Sequence, residues 1–158
     1  MCGGSVIVWV GLGFDFKAHL YVLDKTLTSA EYTLALNTCL IPLVNQVRQS
    51  SGEQPIFQHD GASAHRARAT TRWLTQQNIP TLSWPARSPD LNITENLFGI
   101  LAREVYRDNV HFVTREELRD AIVKAWTNLD QNTIRDLYNS LPNRIFEVIT
   151  KQGGSTHY

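Results

Sequence analysis

The chain has 158 residues, of which 42% are hydrophobic, with four Trp and six Pro, so it reads as a folded globular chain with a real core rather than a disordered one. Lys+Arg and Asp+Glu are equal at 15 each. Bulk charge therefore does not recruit a polyanion, which disfavours a free-standing nucleic-acid-binding module but not a catalytic domain whose DNA affinity comes from elsewhere.

Residues 5–11 are β-branched and aromatic and predict a buried strand. The apolar stretch over residues 6–14 is too short to span a bilayer and lacks the flanks of a cleaved signal. A turn at Gly11, Gly13 and Asp15 leads to a second strand over residues 19–23, closing a hairpin. Thr28 and Glu31 have capping-box spacing. Behind them Tyr32, Ala35, Leu36, Cys39, Leu40, Leu43, Val44 and Val47 recur at helical spacing, with a kink expected at Pro42. Cys2 and Cys39 are too few for a disulfide framework, which fits a soluble protein in a reducing, intracellular setting.

After a break at residues 50–52, a strand is expected over residues 55–59, then a helix over residues 64–77 capped by Ser63. A short strand over residues 80–83 precedes a proline-punctuated loop at residues 84–92 and a helix over residues 93–106. Thr114-Arg115-Glu116-Glu117 has full capping-box form and opens a helix with Leu118, Ala121, Ile122, Ala125 and Trp126 on one face. Two short helices, residues 132–139 and 142–151, stop at Gly153-Gly154. The order is that of an α/β domain with an all-helical C-terminal part, a single domain over residues 1–158.

Two carboxylates stand out. Asp60 ends the apolar segment Pro55-Ile56-Phe57-Gln58-His59, at the carboxyl end of an expected strand, where open α/β sheets keep their sites. Glu95 follows the rigid turn Ser88-Pro89-Asp90 at a helix start, and residues 61–94, 34 in number, separate the two. Each also has a structural reading: Asp60 as an Asx turn or cap, Glu95 as the N3 member of a capping box opened by Asn92. His65 is read as a polar or substrate contact rather than a metal ligand, because Mg²⁺ prefers hard oxygen donors. Arg66, Arg68 and Arg72 are a solvated helix face or, more sharply, phosphate contacts. Neither zinc-site spacing nor a phosphate-cradling glycine loop is present.

Three stretches together resemble the catalytic domain of mariner-type transposases, in the DDE transposase and integrase superfamily. They are Gly3-Gly4-Ser5-Val6-Ile7-Val8-Trp9, Phe57-Gln58-His59-Asp60 with His65, and Trp84-Pro85-Ala86-Arg87-Ser88-Pro89-Asp90-Leu91-Asn92 with Glu95-Asn96-Leu97. The resemblance implies a ribonuclease-H-like fold and three carboxylates holding two Mg²⁺ or Mn²⁺ ions, with Asp60 the second carboxylate and Glu95 the third. It implies transposon-end DNA as partner in the nucleus, allows a homodimer, and calls for neither a membrane nor a small-molecule cofactor. The family's first catalytic Asp lies on a strand upstream of the segment matching residues 3–9; Asp15 and Asp24 match nothing catalytic. The expectation is therefore an N-terminally truncated fold lacking its first, central strand, without the family's helix-turn-helix domains and inactive as written. The alternative is a non-enzymatic, transposase-derived protein that binds nucleic acid or other proteins. Smaller departures are Gly61, where the family usually has Asn, and Ile93-Thr94, where Pro-Ile is common.

Overall fold

The computed structural model describes residues 5–23, 26–85, 88–154 and 156–158. Cys2, the Gly3-Gly4 pair, Asp24 and the Ala86-Arg87 step of the loop lie outside the described residues. The chain divides into two compact units, Ser5–Ala86 and a helical one beginning at Arg87.

In the first unit, β1 (Ile7–Trp9) pairs antiparallel with β4 (Tyr21–Leu23), Val8 opposite Val22. Between them β2 (Leu12–Gly13) and β3 (Phe16–Lys17) form a smaller antiparallel pair that makes the turn. The expected hairpin is thus present, and its second strand is shorter than residues 19–23. A helical run follows: α1 (Ser29–Ala35), a π-helical turn over Leu36–Leu40, and α2 (Ile41–Ser51). The Thr28 hydroxyl accepts the Glu31 N–H at 3.2 Å and starts α1. The disturbance expected at Pro42 takes the form of the π turn just before it. Ile41 N–H reaches back five residues to the Leu36 carbonyl, and the wider turn makes room for a ring that has no N–H to give. Gly52, at φ 70°, ends α2 in the left-handed region and donates to the Arg48 carbonyl.

The inner face of this run, Tyr32, Leu36, Leu40 and Val44, packs with Ala64, Leu74 and Ile79 into the unit's core, with Trp9 and Phe57 against it. Each such side chain fully removed from water contributes roughly 1.5–3 kcal/mol. Cys39 is a buried free thiol packed with Ala18 and Leu43.

The strands expected at residues 55–59 and 80–83 reduce to one parallel bridge, Phe57 to Thr81, with Phe57 N–H donating to Pro80 and Leu82 N–H to Phe57. Pro55 and Pro80 have no N–H to extend the ladder. The helix expected over residues 64–77 is broken in two, α3 (Ser63–Arg66) and α4 (Arg68–Gln76), because Ala67 adopts ψ 140°. The buried Thr70 hydroxyl donates to the Ala64 carbonyl at 2.7 Å across the break. Ser63 is the first helical residue rather than the cap, which falls on Ala62 without a side-chain bond.

The second unit is helical. A 3₁₀ turn at Pro89–Leu91 leads into α5 (Ile93–Val105), whose stripe Ile93, Leu97, Leu101 and Val105 is buried at a spacing of four. On α6 (Arg115–Asn128) the capping box is complete: Glu117 N–H donates to Thr114 Oγ1, and Glu117 Oε2 accepts the Thr114 N–H. Of the expected apolar face of α6, Ala125 and Trp126 are buried and Leu118, Ala121 and Ile122 half-buried.

The two short helices expected at the end are one, α7 (Gln131–Thr150), with Pro142 inside it. Asp130 caps α7 by accepting the Asn132 N–H at 3.0 Å, and Gly153, at φ 85°, ends it by donating to the Val148 carbonyl. Packing of Ile134 and Leu137 outweighs the proline's cost. None of the described helices is long and apolar enough to cross a membrane. Replacing Pro142→Ala is expected to raise unfolding free energy by about 1–3 kcal/mol, the interior-proline penalty recovered, as read by urea denaturation.

Candidate functional site

Asp60 follows the short segment that carries the Phe57 bridge and is held through one oxygen. Its Oδ1 accepts the Ala62 N–H at 2.9 Å, the Asx turn anticipated for it. The same oxygen lies 2.5 Å from His65 Nδ1, which is too poorly aligned there for a regular hydrogen bond. Asp60's side chain is 48% exposed, and among the described residues no protein donor reaches its other oxygen. The carboxylate is thus fixed through one oxygen and open through the other.

Tyr32 sets this geometry. Its ring is fully buried, stacks on His65 at 4.0 Å between centroids, and its hydroxyl meets His59 Nδ1 at 3.1 Å. His59 in turn stacks on Phe57 at 5.0 Å and on His65 at 5.3 Å. Burial pushes the Tyr32 pKa up, so the phenol keeps its proton and donates it to His59 Nδ1. His59 is pushed down to about 4, first by burial and then by the neighbouring His65, with Asp60 opposing. It is neutral at pH 7, and the Tyr32 bond assigns its proton to Nε2. His65 was read from sequence as a polar or substrate contact. Its side chain is only 13% exposed, its ring stacks on Tyr32 and its Nδ1 lies beside the Asp60 carboxylate.

Glu95 sits in the first turn of α5. Asn92 is the N-cap as expected, its Oδ1 accepting the Thr94 N–H at 3.3 Å and the Thr94 hydroxyl at 2.7 Å. The capping box does not close. The Asn92 N–H that Glu95 would accept already donates to the Pro89 carbonyl at 3.0 Å, part of the 3₁₀ turn. The Glu95 side chain is exposed and takes no hydrogen bond or ion pair among the described residues. Asp90, five residues earlier, turns its carboxylate onto the Leu91 N–H at 3.2 Å, the local role its sequence context suggests.

Arg66, Arg68 and Arg72 are exposed, Arg68 and Arg72 one turn apart on α4, and none meets a carboxylate among the described residues. The end of the Arg66 side chain lies over Gly61. A Cβ at Gly61 would sit 3.9 Å from Arg66 Cδ, so a larger residue there meets only ordinary contact. Arg144 was missed by sequence reading. It is buried on α7 and bonded to the Asp90 carbonyl and to Asn96. The signal was available, because residue 144 falls on the stripe Ile134, Leu137, Leu141, Val148, where periodicity reserves an apolar place.

Asp60 and Glu95 belong to different units, and within each unit the carboxylate is exposed and rigidly based. Hard carboxylate oxygens suit Mg²⁺ or Mn²⁺, and among the described residues both side chains keep oxygen atoms clear of protein donors. Among the described residues no cluster of three or more His, Cys, Asp and Glu side chains is assembled.

A family model described as DDE superfamily endonuclease matches residues 15–119. The chain belongs to that family, as a mariner-type transposase catalytic domain. It is 34% identical over 156 residues to the Tc3 transposase of Caenorhabditis elegans, covering 99% of this chain and 46% of that protein. It is 27% identical to the Tcb2 transposase of Caenorhabditis briggsae, covering 55% of it. The chain thus spans about half the length of the curated relatives it matches. The catalytic domain of Mos1 transposase, solved with raltegravir and Mn, superposes with a TM-score of 0.84 at 22% identity, covering 96% of this chain and 78% of that one. That likeness establishes the ribonuclease-H-like α/β fold expected from the sequence.

Replacing Tyr32→Phe keeps the ring and removes the donor, leaving the His59 nitrogen unpaired. Stability is expected to fall by about 1–3 kcal/mol in denaturant unfolding, without loss of the folded far-ultraviolet signal.

Proposed function

We propose that this chain serves divalent-metal-dependent DNA strand cleavage and transfer at transposon ends, with Asp60 and Glu95 as two of its metal-binding carboxylates. The supporting observation is Glu95. A glutamate at N3 of a capped helix has a ready structural job, and here Pro89 has taken the donor that job needs. The side chain is left rigidly based and chemically idle, a poor arrangement for stability and a good one for ligation.

Asp60 supports the reading in the same way, one oxygen held by Ala62 N–H and beside His65, the other open. Bound Mg²⁺ or Mn²⁺ would supply Lewis acidity at a phosphate and a nucleophile at neutral pH. The chain's own part is to keep the two carboxylates fixed and accessible. Mos1 structures that by name contain Mn, Mg, paired transposon ends and a strand transfer complex agree with this chemistry. The same reading carries a homodimer and a nuclear working place, both on the resemblance alone.

DNA contact is assigned to Arg66, Arg68 and Arg72. Although the whole chain is neutral, residues 61–89 contain four arginines, the fourth being Arg87, and no Asp or Glu. Exposed guanidiniums without carboxylate partners are matched to phosphates.

Two measurements test these assignments. Asp60→Asn and Glu95→Gln are each expected to weaken Mn²⁺ binding, titrated by electron paramagnetic resonance, at least tenfold while leaving the melting temperature close to the parent's. Unchanged affinity in both would remove the metal reading and favour an interaction protein. For the arginines, binding of a mixed-sequence duplex is followed by anisotropy against salt. Arg68→Gln and Arg72→Gln should each flatten the slope of log K against log salt by about 1. Slopes equal to the parent's would mean the face is merely solvated.

A further inference from the structure

Arg144 is 2% exposed on α7, a place where a guanidinium survives only with its donors occupied. Nη1 donates to the Asp90 carbonyl at 2.7 Å and to Asn96 Oδ1 at 2.9 Å, and Nε donates to Ser140 Oγ at 2.8 Å. Ser140 Oγ passes its own proton to the Leu137 carbonyl at 2.6 Å. The Tyr158 ring lies 4.2 Å from the guanidinium carbon and covers one of its faces. None of these hydrogen-bond partners is a carboxylate, so Arg144 neutralises nothing by direct bonding. Its bonds are directional, and two of them end on groups that bracket Glu95 in the chain.

Asp90 belongs to the 3₁₀ turn that occupies the Asn92 N–H, and Asn96 directly follows Glu95. One nitrogen therefore pins both the turn before Glu95 and the first turn of α5 to α7.

We propose that Arg144 is a positioning residue for Glu95. It holds the 3₁₀ turn against the start of α5, keeps the Asn92 N–H on Pro89, and so keeps the Glu95 carboxylate out of the capping box and available. The catalytic purpose rests on the metal reading of Glu95 given above; the mechanical role does not. A planar guanidinium suits this place because Nε is anchored on Ser140 of the same helix and so fixes the direction from which Nη1 meets the two acceptors. Lysine offers a point charge without that fork.

The test uses Arg144→Met and Arg144→Lys in the full chain, with Asn96→Leu as a milder variant that retains the bonds to Asp90 and Ser140. Hydrogen exchange is read at the Asn92 and Glu95 amides, and at the Leu118 amide of α6 as a control. The expected result is at least tenfold faster exchange at Asn92 and Glu95 in Arg144→Met and in Asn96→Leu, partial recovery in Arg144→Lys, and parent-like exchange at Leu118. Mn²⁺ affinity, measured well below the melting temperature, should fall about tenfold in Arg144→Met. Adding Arg144→Met to Glu95→Gln should weaken it no further. Equal acceleration at Leu118, or parent-like exchange at Glu95, would overturn the proposal by making Arg144 ordinary packing. If Arg144→Met does not fold, Asn96→Leu decides alone by the same criterion. Failure of the metal reading shows separately, as unchanged Mn²⁺ affinity in Glu95→Gln, and the exchange pattern then decides the mechanical role by itself.

Discussion

The Tyr32 hydroxyl is tied twice: it donates to His59 Nδ1 and accepts from the Trp9 side chain. Its ring is fully buried in the core cluster that also holds Leu36, Leu40, Val44, Ala64 and Leu74. A buried phenol left without a partner costs more than the packing of its ring can ignore. The bond to His59 Nδ1 is therefore a constraint on everything around it. It fixes the register of the segment ending in Asp60, because His59 is the preceding residue. It also sets the plane against which His65 stacks, and His65 is the side chain in contact with the Asp60 oxygen. The π turn and the break at Ala67 fit this account. Both are local departures from ideal helix, one just after Tyr32 and one just after His65, and each is compensated by a specific bond.

The helical unit solves a comparable problem by different means. This unit carries two glutamates at the third position of a capped helix, Glu117 on α6 and Glu95 on α5. Glu117 folds back onto the Thr114 and Val113 N–H groups and closes its box. Glu95 does not, and the difference lies in the backbone before the cap. Thr114 follows an exposed Val113 and has its N–H available; Asn92 follows a 3₁₀ turn whose Pro89 carbonyl claims it. The same residue type in the same helical place is thus structural in one case and idle in the other. That contrast within one chain is stronger than any argument from Glu95 alone.

Much of this was legible in the sequence, and the failures have physical causes. β-branched and aromatic runs placed β1 and β4, and apolar spacing placed the helical run and α5. The Thr114 box was readable in full. Proline misled in two directions. Pro142 was read as opening a separate helix, yet packing carries helix through it, as it does through Pro42, whose expected disturbance the backbone absorbs as a π turn. Pro55 and Pro80 flank segments whose alternation suggested strands, and the missing N–H groups held these to one bridge. Asp60 and Glu95 were visible as types in context; their open oxygens were not, because that depends on where neighbouring N–H groups point. Arg144 was hidden for a related reason. Periodicity reports which face is buried, and a charged residue on that face reads as an interruption until its acceptors are known.

Neutral net charge disfavours a free-standing nucleic-acid-binding module, but charge is not evenly spread along the chain. Attraction to phosphate is set within about a Debye length, roughly 8 Å at physiological salt, so distant acids do not cancel nearby arginines. The acid-free stretch from residue 61 to residue 89 begins immediately after Asp60 and contains the exposed Arg66, Arg68 and Arg72. The break at Ala67 matters here. It lets α3 turn His65 inward onto Tyr32 while α4 carries Arg68 and Arg72 on an exposed face. A straight helix would have tied both orientations to one periodicity. The departure from regular structure is therefore what allows ten residues to hold a carboxylate on one side and present cations on the other.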